Sequence, residues 1–286
     1  MIVVRVWGGI GNQLFEYAFG CYLKEMFNCD VYYDLNTFQK IDKVRVFELD
    51  LIANDLPAFK SNKLFFSKYR GVKNRLLRYW FMLDNKYINE VDFDKSGIVD
   101  NAPITYLEGY WQTHLYVSQL VNPLEFYFTP KGQIPLVLKD YLNTIEADPN
   151  SIAIHVRRGD YFQPHNIETY GVCTKTYYCK AANYLLSLME ICSFYIFTDD
   201  ENWVKENIPT EYNYKIIKSF DQINDFWYIH LMSKCRHNII SNSSFSWWGA
   251  YLNSNPEKII ISPDKWTLKS NETISLDNWV KIQTHE

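Results

Sequence analysis

The chain has 286 residues, of which 47% are hydrophobic and 22% are charged, with a formal net charge of −4 and a sequence pI near 5.9. This length and composition are typical of a soluble globular protein with one large or two modest domains, and they exclude a disordered chain. The acidic excess argues against a general nucleic-acid coat protein, because such proteins carry a basic excess, so any recognition of an anion must be local.

The N-terminus carries only a short apolar run, which Arg5 interrupts. This run is too short for the apolar region of a signal peptide or for a membrane span, so we expect a cytoplasmic protein. The six cysteines contain no C-x-x-C pair, the spacing typical of structural zinc sites and redox centres. We expect reduced and mostly buried thiols.

The first predicted elements form a β-α-β unit. Residues 2–7 predict a buried strand, 8–13 a glycine-rich turn, 14–27 a helix and 29–35 a second strand. Glycines at a strand-to-helix turn let the backbone approach a ligand, but a plain tight turn uses the same residues. The stretch GGIGN lacks the G-x-G-x-x-G pattern of dinucleotide sites, and both interpretations stay open at this point.

One stretch of the less regular region that follows is strongly basic. Residues 60–78 carry lysines and arginines and no acidic residue. The stretch fits a solvated face beside aromatic core residues, which we favour, or peripheral contact with an anionic membrane or a lipid-linked acceptor.

The end of the N-terminal half predicts one more strand and then a connection. Residues 104–112 predict a strand that leads to an exposed aromatic edge around Trp111. Proline and glycine in 122–135 are typical of a connection between elements. We therefore expect a domain boundary near 130–150.

The second half alternates strands and helices regularly. Strands are predicted at 151–156, 193–198, 214–218, 237–241 and 258–262, and helices at 177–190, 200–207, 221–236 and 244–254. This alternation predicts an α/β fold with a parallel, doubly wound sheet. Ligands of such sheets bind beyond the carboxyl ends of the strands, and three of the predicted strands end in polar residues.

The first of these polar ends is HVRRGD, residues 155–160. Adjacent arginines repel each other unless an anion lies beside them, and a guanidinium is shaped for bidentate contact with phosphate. We expect Arg157 to be a phosphate ligand. A structural ion pair between Arg158 and Asp160 is the alternative for one of the two arginines.

The second polar end contains Asp199 and Asp200. The pair could bind a divalent metal, or one carboxylate could cap the next helix while the other accepts a hydrogen bond from a base or sugar. We favour the metal-free interpretation, because arginines and a helix terminus are already available to neutralise a diphosphate.

The third polar end is SNSSFSWWGA, residues 241–250, where small polar side chains lead from a strand into a helix. Hydroxyl groups and backbone N–H groups then meet the positive end of the helix dipole, an arrangement that binds phosphate. Plain N-capping by Ser243 or Ser244 is the simpler alternative, but capping needs only one such residue.

Three motifs together resemble glycosyltransferase family 11, the α-1,2-fucosyltransferases. They are GGIGNQLFEYAFG (8–20), HVRRGDY (155–161) and SNSSFSWWGA, which LMSKCRHNII (231–240) precedes. The resemblance implies a GT-B fold in which two Rossmann-like, doubly wound domains face a cleft, with residues 1–150 on the acceptor side and 151–286 binding the donor. It also implies inverting transfer of L-fucose from GDP-β-L-fucose to the 2-hydroxyl of a galactose residue in a glycan. No metal cofactor and no nucleic-acid partner are expected.

The resemblance further implies roles for individual residues. Donor-binding residues are expected at His155, Arg157, Arg158, Asp199, Asp200, Asn242, Ser243, Ser244 and Phe245. Arg157 is expected to stabilise the departing diphosphate, and Asp160 is the first candidate for the general base, with His165 and Glu168 as rivals. Residues expected to line the acceptor side of the cleft are Gly11, Asn12, Gln13 and Trp111.

Some positions have no assigned role at this point. Asp225 lies further upstream than the acidic residue often found before LMSKC in the family, and Tyr228 lies closer to that register. Two other functions remain open: a metal-dependent nucleotide-sugar transferase that uses Asp199 and Asp200, and a sugar- or nucleotide-binding module without catalysis.

Overall fold

A computed structural model of the chain describes residues 1–36, 38, 45–59, 85–94, 102–162, 164–268 and 274–284. The basic stretch at 60–78 therefore lies outside the described residues. The chain divides into two compact units, Met1–Gly132 and Gln133–Glu286. The division precedes helix Leu136–Ala147 instead of following residue 150, because that helix packs against helix Phe226–Lys234 of the second unit.

The described strands of the first unit form a parallel sheet in the order β2-β1-β4-β3. They are β1 (Ile2–Arg5), β2 (Val31–Asp34), β3 (Lys86–Asn89) and β4 (Thr105–Glu108). The α-helices of this unit among the described residues are α1 (Ile10–Phe27), α2 (His114–Val117) and α3 (Leu124–Tyr127). Strand order reverses between β1 and β4, because β2 lies on one side of β1 and β3 lies beyond β4.

Helix α1 begins within the turn predicted for 8–13. Gly8 has a φ of +74°, in the left-handed region that favours glycine, and Gly9 is the N-cap. These two residues complete the turn, so Ile10 is already helical. The helix is buried on nearly all sides from Ile10 to Leu23 and ends at Asn28 in the left-handed conformation.

The described strands of the second unit form a parallel sheet in the order β10-β9-β8-β5-β6-β7. They are β5 (Ser151–Val156), β6 (Ser193–Thr198), β7 (Tyr214–Ile217), β8 (His237–Ile239), β9 (Ile260–Pro263) and β10 (Val280–Ile282). The described α-helices are α4 (Leu136–Ala147), α5 (Pro164–Tyr170), α6 (Lys175–Leu188), α7 (Glu201–Asn207), α8 (Phe226–Lys234) and α9 (Ser244–Tyr251). The predicted strands of this half are confirmed, and β10 is an additional edge strand that the sequence analysis missed.

Strand β5 is the centre of the second sheet. All six of its residues are buried, which matches its apolar sequence and its position between β6 and β8. Strand order reverses here, with β6 and β7 on one side and β8, β9 and β10 on the other. In open α/β sheets, ligands bind at the carboxyl ends of the strands at such a reversal.

The expectation of reduced, mostly buried thiols is confirmed. All six cysteines are free, and four of them are buried: Cys21, Cys173, Cys192 and Cys235. Of the helices that the structure describes, none has the length and apolar character that crossing a bilayer requires.

Candidate functional site

The reversal of strand order in the second sheet is bridged by two side chains. His155, the penultimate residue of β5, is hydrogen-bonded through Nδ1 to Ser241 Oγ at 2.8 Å, and Ser241 follows β8. Burial, with a smaller contribution from the nearby positive charge of Arg157, lowers the pKa of His155 to about 3. The imidazole is therefore neutral at physiological pH, and its ring lies 5.2 Å from that of Phe245.

Arg157 is held by the carboxylate that follows the neighbouring strand. Its Nη1 lies 2.9 Å from Asp199 Oδ2, and both side chains are about one quarter exposed. A guanidinium has five N–H donors, so this group can contact a carboxylate and a second anion at the same time. The position fits the prediction that Arg157 is a phosphate ligand.

Arg158 pairs with Asp200, whereas the predicted alternative, an Arg158–Asp160 pair, involves a side chain that lies outside the described residues. Its Nε lies 3.2 Å from Asp200 Oδ2, and the guanidinium carbon lies 4.3 Å from the ring centroid of Trp203. An ion pair on one side and an aromatic face on the other fix the side chain. Arg158 therefore has a structural role in the site, with its side chain held by Asp200 and Trp203.

Asp199 and Asp200, the two carboxylates after β6, have different roles. Asp200 caps α7, since its Oδ1 accepts the backbone N–H of Trp203 at 3.0 Å. Asp199 accepts the backbone N–H of Arg158 at 2.8 Å in addition to its pair with Arg157. The prediction that one aspartate caps the helix is confirmed. The other aspartate, Asp199, holds the turn at Arg157 and Arg158, which we call the arginine turn.

Both carboxylates thus already have cationic partners. Across the part of the chain that the structure describes, His, Cys, Asp and Glu side chains form no group of three or more that could hold a metal ion.

The N-terminus of α9 opens at the same edge of the sheet. Ser243 is the N-cap, but its side chain makes no capping hydrogen bond within the described residues, and the first backbone bond of the helix runs from Trp247 N to Ser243 O. The capping alternative therefore does not explain the serine side chains. Ser244 and Phe245 are half-buried and begin the helix, so N–H groups at the positive end of the helix dipole accompany the arginines.

Asn242 has a role that differs from the predicted donor contact. The side chain is 4% exposed, and its Nδ2 donates to Tyr170 O at 2.9 Å and to Trp266 O at 3.3 Å. Its backbone carbonyl accepts the hydroxyl of Tyr161 at 2.9 Å. The amide is committed to backbone carbonyls, so Asn242 positions the loop before α9.

The candidates for the general base lie around a short 3₁₀ turn and α5. Asp160 begins the turn at 160–162, and His165 lies in the first turn of α5; their side chains lie outside what the structure describes. Glu168 is exposed on α5.

Asp225 and Tyr228, the two positions without an assigned role, have different environments. Asp225 is the exposed N-cap of α8, while Tyr228 is buried and accepts the backbone N–H of Phe220 at 2.9 Å. Tyr228 is thereby a packing residue.

Gln13 and Trp111, which were predicted to line the acceptor side, have buried side chains. Gln13 is fully buried and binds backbone groups of Gly8, Val46 and Glu48, which ties α1 to the segment after β2. The predicted exposed aromatic edge at Trp111 is wrong, because this residue adopts a φ of +53° and is 1% exposed.

The other two predictions on this side have different outcomes. Gly11 is buried in the first turn of α1. Asn12 is partly exposed, and its Oδ1 accepts the side-chain amide of Gln112 at 2.8 Å. Asn12 is the one of the four whose side chain reaches the surface of the unit.

Sequence reasoning missed Ser241 and Trp203 as parts of the site. Ser241 stood in the motif but was counted as the end of a strand, and Trp203 lies three residues after the cap Asp200. A signal existed for Trp203, because an aromatic ring in the first turn of a helix can face an arginine that reaches the same cap.

The chain is similar in sequence to known glycosyltransferases. An α-1,2-colitosyltransferase from Escherichia coli is 31% identical, over 99% of this chain and 99% of that protein. The O-antigen biosynthesis glycosyltransferase WbnK, also from Escherichia coli, is 28% identical over 96% of this chain and 98% of that protein. The galactoside α-(1,2)-fucosyltransferase 1 of Homo sapiens is 29% identical, over 46% of this chain and 38% of its own length.

Solved structures share the fold at low identity. The fucosyltransferase FUT1 of Arabidopsis thaliana, in complex with GDP, has a TM-score of 0.54 at 13% identity, over 91% of this chain and 69% of that chain. The α-1,6-fucosyltransferase NodZ, soaked with GDP-fucose, has a TM-score of 0.51 at 12% identity, over 87% and 90%. The fold is that of the GT-B fucosyltransferases, built from α/β units with parallel sheets.

The sequence model of glycosyl transferase family 11 matches residues 1–283, which is nearly the whole chain. The chain belongs to glycosyltransferase family 11.

Proposed function

We propose that this glycosyltransferase transfers L-fucose from GDP-β-L-fucose to the 2-hydroxyl of a galactose residue, with inversion at the anomeric carbon. One observation carries the proposal: Arg157, held by Asp199, lies after the central strand β5 at the reversal of strand order, where the N-terminus of α9 also opens. Both features favour a diphosphate at this edge of the sheet.

Arg157 acts on the leaving group. When the fucose–phosphate bond breaks, positive charge develops on the sugar ring and negative charge on GDP. A cation that is already in position stabilises that charge without reorganisation, and this lowers the barrier to transfer. Asp199 supplies the preorganisation, because it fixes both the guanidinium of Arg157 and the backbone of Arg158.

His155 and Phe245 form the part of the site that we assign to the nucleoside. The neutral imidazole adds no charge beside the diphosphate, and the bond to Ser241 fixes the plane of its ring. We propose that Ser243 and Ser244 contact the diphosphate, since they stand at the start of α9.

We also propose that transfer needs no metal. Asp199 and Asp200, the two carboxylates that a metal would use, each form an ion pair with an arginine of the same site. A divalent cation would have to break both pairs and approach two guanidinium groups, which costs Coulomb energy.

A second donor, GDP-colitose, is favoured by the 31% identity to the α-1,2-colitosyltransferase. Colitose is 3-deoxy-L-fucose, so the two sugars differ by one hydroxyl. A site with a hydrogen-bonding partner for that hydroxyl would discriminate strongly against the deoxy sugar. A competition experiment between GDP-fucose and GDP-colitose therefore identifies the donor.

The acceptor hydroxyl requires a general base for inversion, and Asp160 is our first assignment because it follows the arginine turn directly. His165 and Glu168 are the rivals.

We propose a cytoplasmic location, which six free thiols support. Peripheral contact with a membrane through 60–78 remains a proposal about a segment outside the described residues.

Titration calorimetry with GDP-β-L-fucose in EDTA tests the donor assignment first. Saturable binding is the expected result, and binding that appears only with magnesium or manganese would overturn the metal-free proposal. Incubation with a β-galactoside and equal amounts of GDP-fucose and GDP-colitose then identifies the sugar, and NMR of the product gives its linkage. Tight donor binding with no product from any galactoside would favour a binding module without catalysis.

A further inference from the structure

The first unit carries its own reversal of strand order, between β1 and β4, and polar side chains end both strands. Arg5 is in register with Asp34 of β2, and Glu108 is in register with Asn89 of β3. Arg5 Nη1 lies 2.5 Å from Glu108 Oε1, so an ion pair joins the two central strands at their carboxyl ends. This is the edge at which parallel sheets bind ligands.

An aromatic platform lies beside this ion pair. The guanidinium carbon of Arg5 is 3.8 Å from the ring centroid of Trp7, and the ring of Tyr110 meets Trp7 edge to face at 5.2 Å. Tyr110 is 39% exposed, whereas Trp7 is half-buried. The outermost layer of the cluster is thus an aromatic ring presented to solvent at the carboxyl edge of the sheet.

The backbone is shaped to present Tyr110 in this way. Trp111, the next residue, has a φ of +53°, a conformation that bulky side chains rarely adopt. Its indole is stacked on Phe19 at 4.0 Å, which anchors the turn in the core. On the other side, a β-carbon at Gly109 would meet Glu90, whose Oε2 accepts the backbone N–H of Tyr110 at 2.8 Å. Such strain persists where the surrounding structure enforces it, and it is concentrated at functional sites.

Glu108 keeps capacity for a ligand. Its Oε1 pairs with Arg5 and its Oε2 accepts the hydroxyl of Tyr87, while a carboxylate has about four acceptor positions. The side chain is 22% exposed. Partly exposed carboxylates beside an aromatic face fit sugar hydroxyls, because a pyranose presents an apolar C–H face to the ring and hydroxyls at its rim.

The local charge distinguishes this edge from the diphosphate site. Among the described residues around it, Arg5 and Arg45 are positive, while Asp34, Glu90 and Glu108 are negative. Burial raises the pKa of Glu16 well above its usual value, which favours the neutral form of this carboxyl. The balance is slightly acidic, which disfavours phosphate and favours a neutral ligand.

We propose that the carboxyl edge of the first unit's sheet binds one neutral hexopyranose of the acceptor glycan, with the sugar ring against Tyr110 and its hydroxyls hydrogen-bonded to Glu108. That the sugar belongs to the acceptor rests on the proposed function. The binding itself does not, because it requires neither donor nor transfer.

Saturation-transfer NMR with methyl β-D-galactoside, in the absence of donor, tests the binding site. We expect saturation transfer in the wild-type protein, a dissociation constant raised about tenfold in Tyr110→Ala, and a change below about twofold in Tyr110→Phe, which keeps the ring. Tyr184→Ala is the matched control, because Tyr184 is a 38% exposed tyrosine of the second unit, and it should bind as the wild type does. Glu108→Gln should weaken binding several-fold, since an amide offers fewer acceptor positions.

Transfer kinetics separate this proposal from the proposed function. Tyr110→Ala should raise the acceptor KM about tenfold and leave kcat and the affinity for GDP within about twofold. Galactoside binding that depends on Tyr110, in an enzyme that transfers no fucose, would refute the proposed function and keep the site. Fucosyl transfer with an acceptor KM unchanged in Tyr110→Ala, or absence of sugar binding to the wild type, would overturn the site.

Discussion

The carboxylate of Asp199 lies against the backbone of Gly159: a β-carbon at that glycine would be 2.8 Å from Asp199 Oδ2. The same oxygen pairs with Arg157, and the other oxygen accepts the N–H of Arg158. The turn after β5 is therefore wrapped around one side chain from the neighbouring strand. Residue 159 must be a glycine because the Asp199 carboxylate lies so close to its backbone. The contacts of Asp199 with Arg157 and Arg158 then orient the two arginines.

Gly159→Ala should disrupt this turn. The added methyl group would displace Asp199, which two hydrogen-bonded contacts hold in place, so that Arg157 loses its support. We expect kcat for fucosyl transfer to fall by about tenfold or more, while the melting temperature changes little, because the turn lies at the surface of the sheet. Steady-state kinetics and thermal unfolding measure the two effects, and an alanine variant with wild-type kcat would contradict this role of Gly159.

Asp199→Asn separates positioning from metal binding. The amide oxygen can still accept the N–H of Arg158, but the ion pair with Arg157 is lost. We expect kcat to fall about tenfold while GDP binds as tightly as in the wild type or more tightly, because the site gains positive charge. If Asp199 bound a metal, the same change would weaken donor binding in magnesium.

Asp200→Asn is the matched comparison for that variant. Asparagine is as good an N-cap as aspartate, so α7 should keep its start, and the loss is confined to the ion pair with Arg158. We expect less than about threefold change in kcat. Equal losses in the two variants would mean that the two carboxylates act as one unit.

Arg157→Ala should reduce turnover far more than GDP affinity. Removing a preorganised group that stabilises the leaving charge costs roughly a hundredfold to a thousandfold in kcat. Lys205→Ala removes an equal charge from the same unit, at an exposed i,i+4 pair with Glu201, and should leave kcat unchanged. Near-normal turnover in Arg157→Ala would remove this residue from the mechanism.

The second unit could be predicted closely because its signals are local. Buried strands such as β5 follow from short apolar runs, and polar residues at their ends follow from the topology of parallel sheets. The partners of the arginines could not be found in this way. Arg157 and Asp199 are 42 positions apart in the sequence and meet only because β5 pairs with β6.

The first unit misled the sequence analysis for a different reason. The pattern around Trp111 predicts an exposed aromatic edge, but a left-handed backbone at that residue turns its indole into the core and leaves Tyr110 outside. Neither composition nor periodicity indicates a positive φ at tryptophan. Similarly, Gln13 reads as a polar residue of a glycine-rich loop, and its burial depends on hydrogen bonds to the distant segment at Val46 and Glu48.

His155 should make the protein less stable as the pH falls. Its pKa is about 3 in the folded protein and near 6.5 when unfolded, so that only the unfolded state binds a proton between these values. The contribution is fully present above pH 6.5 and is lost as the pH falls towards 3, with a limiting slope of about 1.4 kcal/mol per pH unit. Denaturation of His155→Gln from pH 7 to 4 should show a shallower loss than the wild type. An imidazole NMR titration of His155 with a midpoint near pH 6 would contradict the assignment.

Glu16 should act in the opposite sense. Its Oε2 accepts the N–H of Trp7, and Oε1 is buried with no partner among the described residues. Burial raises the pKa of this carboxyl well above its usual value, so the folded protein keeps a proton that the unfolded chain releases above about pH 4.5. The stability contributed by Glu16 is therefore present at low pH and is lost as the pH rises, up to the pKa of the folded state.

Glu16→Gln keeps the acceptor for Trp7 and cannot ionise. The free energy of unfolding of the variant relative to wild type should increase as the pH rises above about 4.5, until the pH reaches the pKa of the folded state. A difference that stays constant as the pH rises above about 4.5 would mean that the carboxyl of Glu16 is ionised in the folded protein.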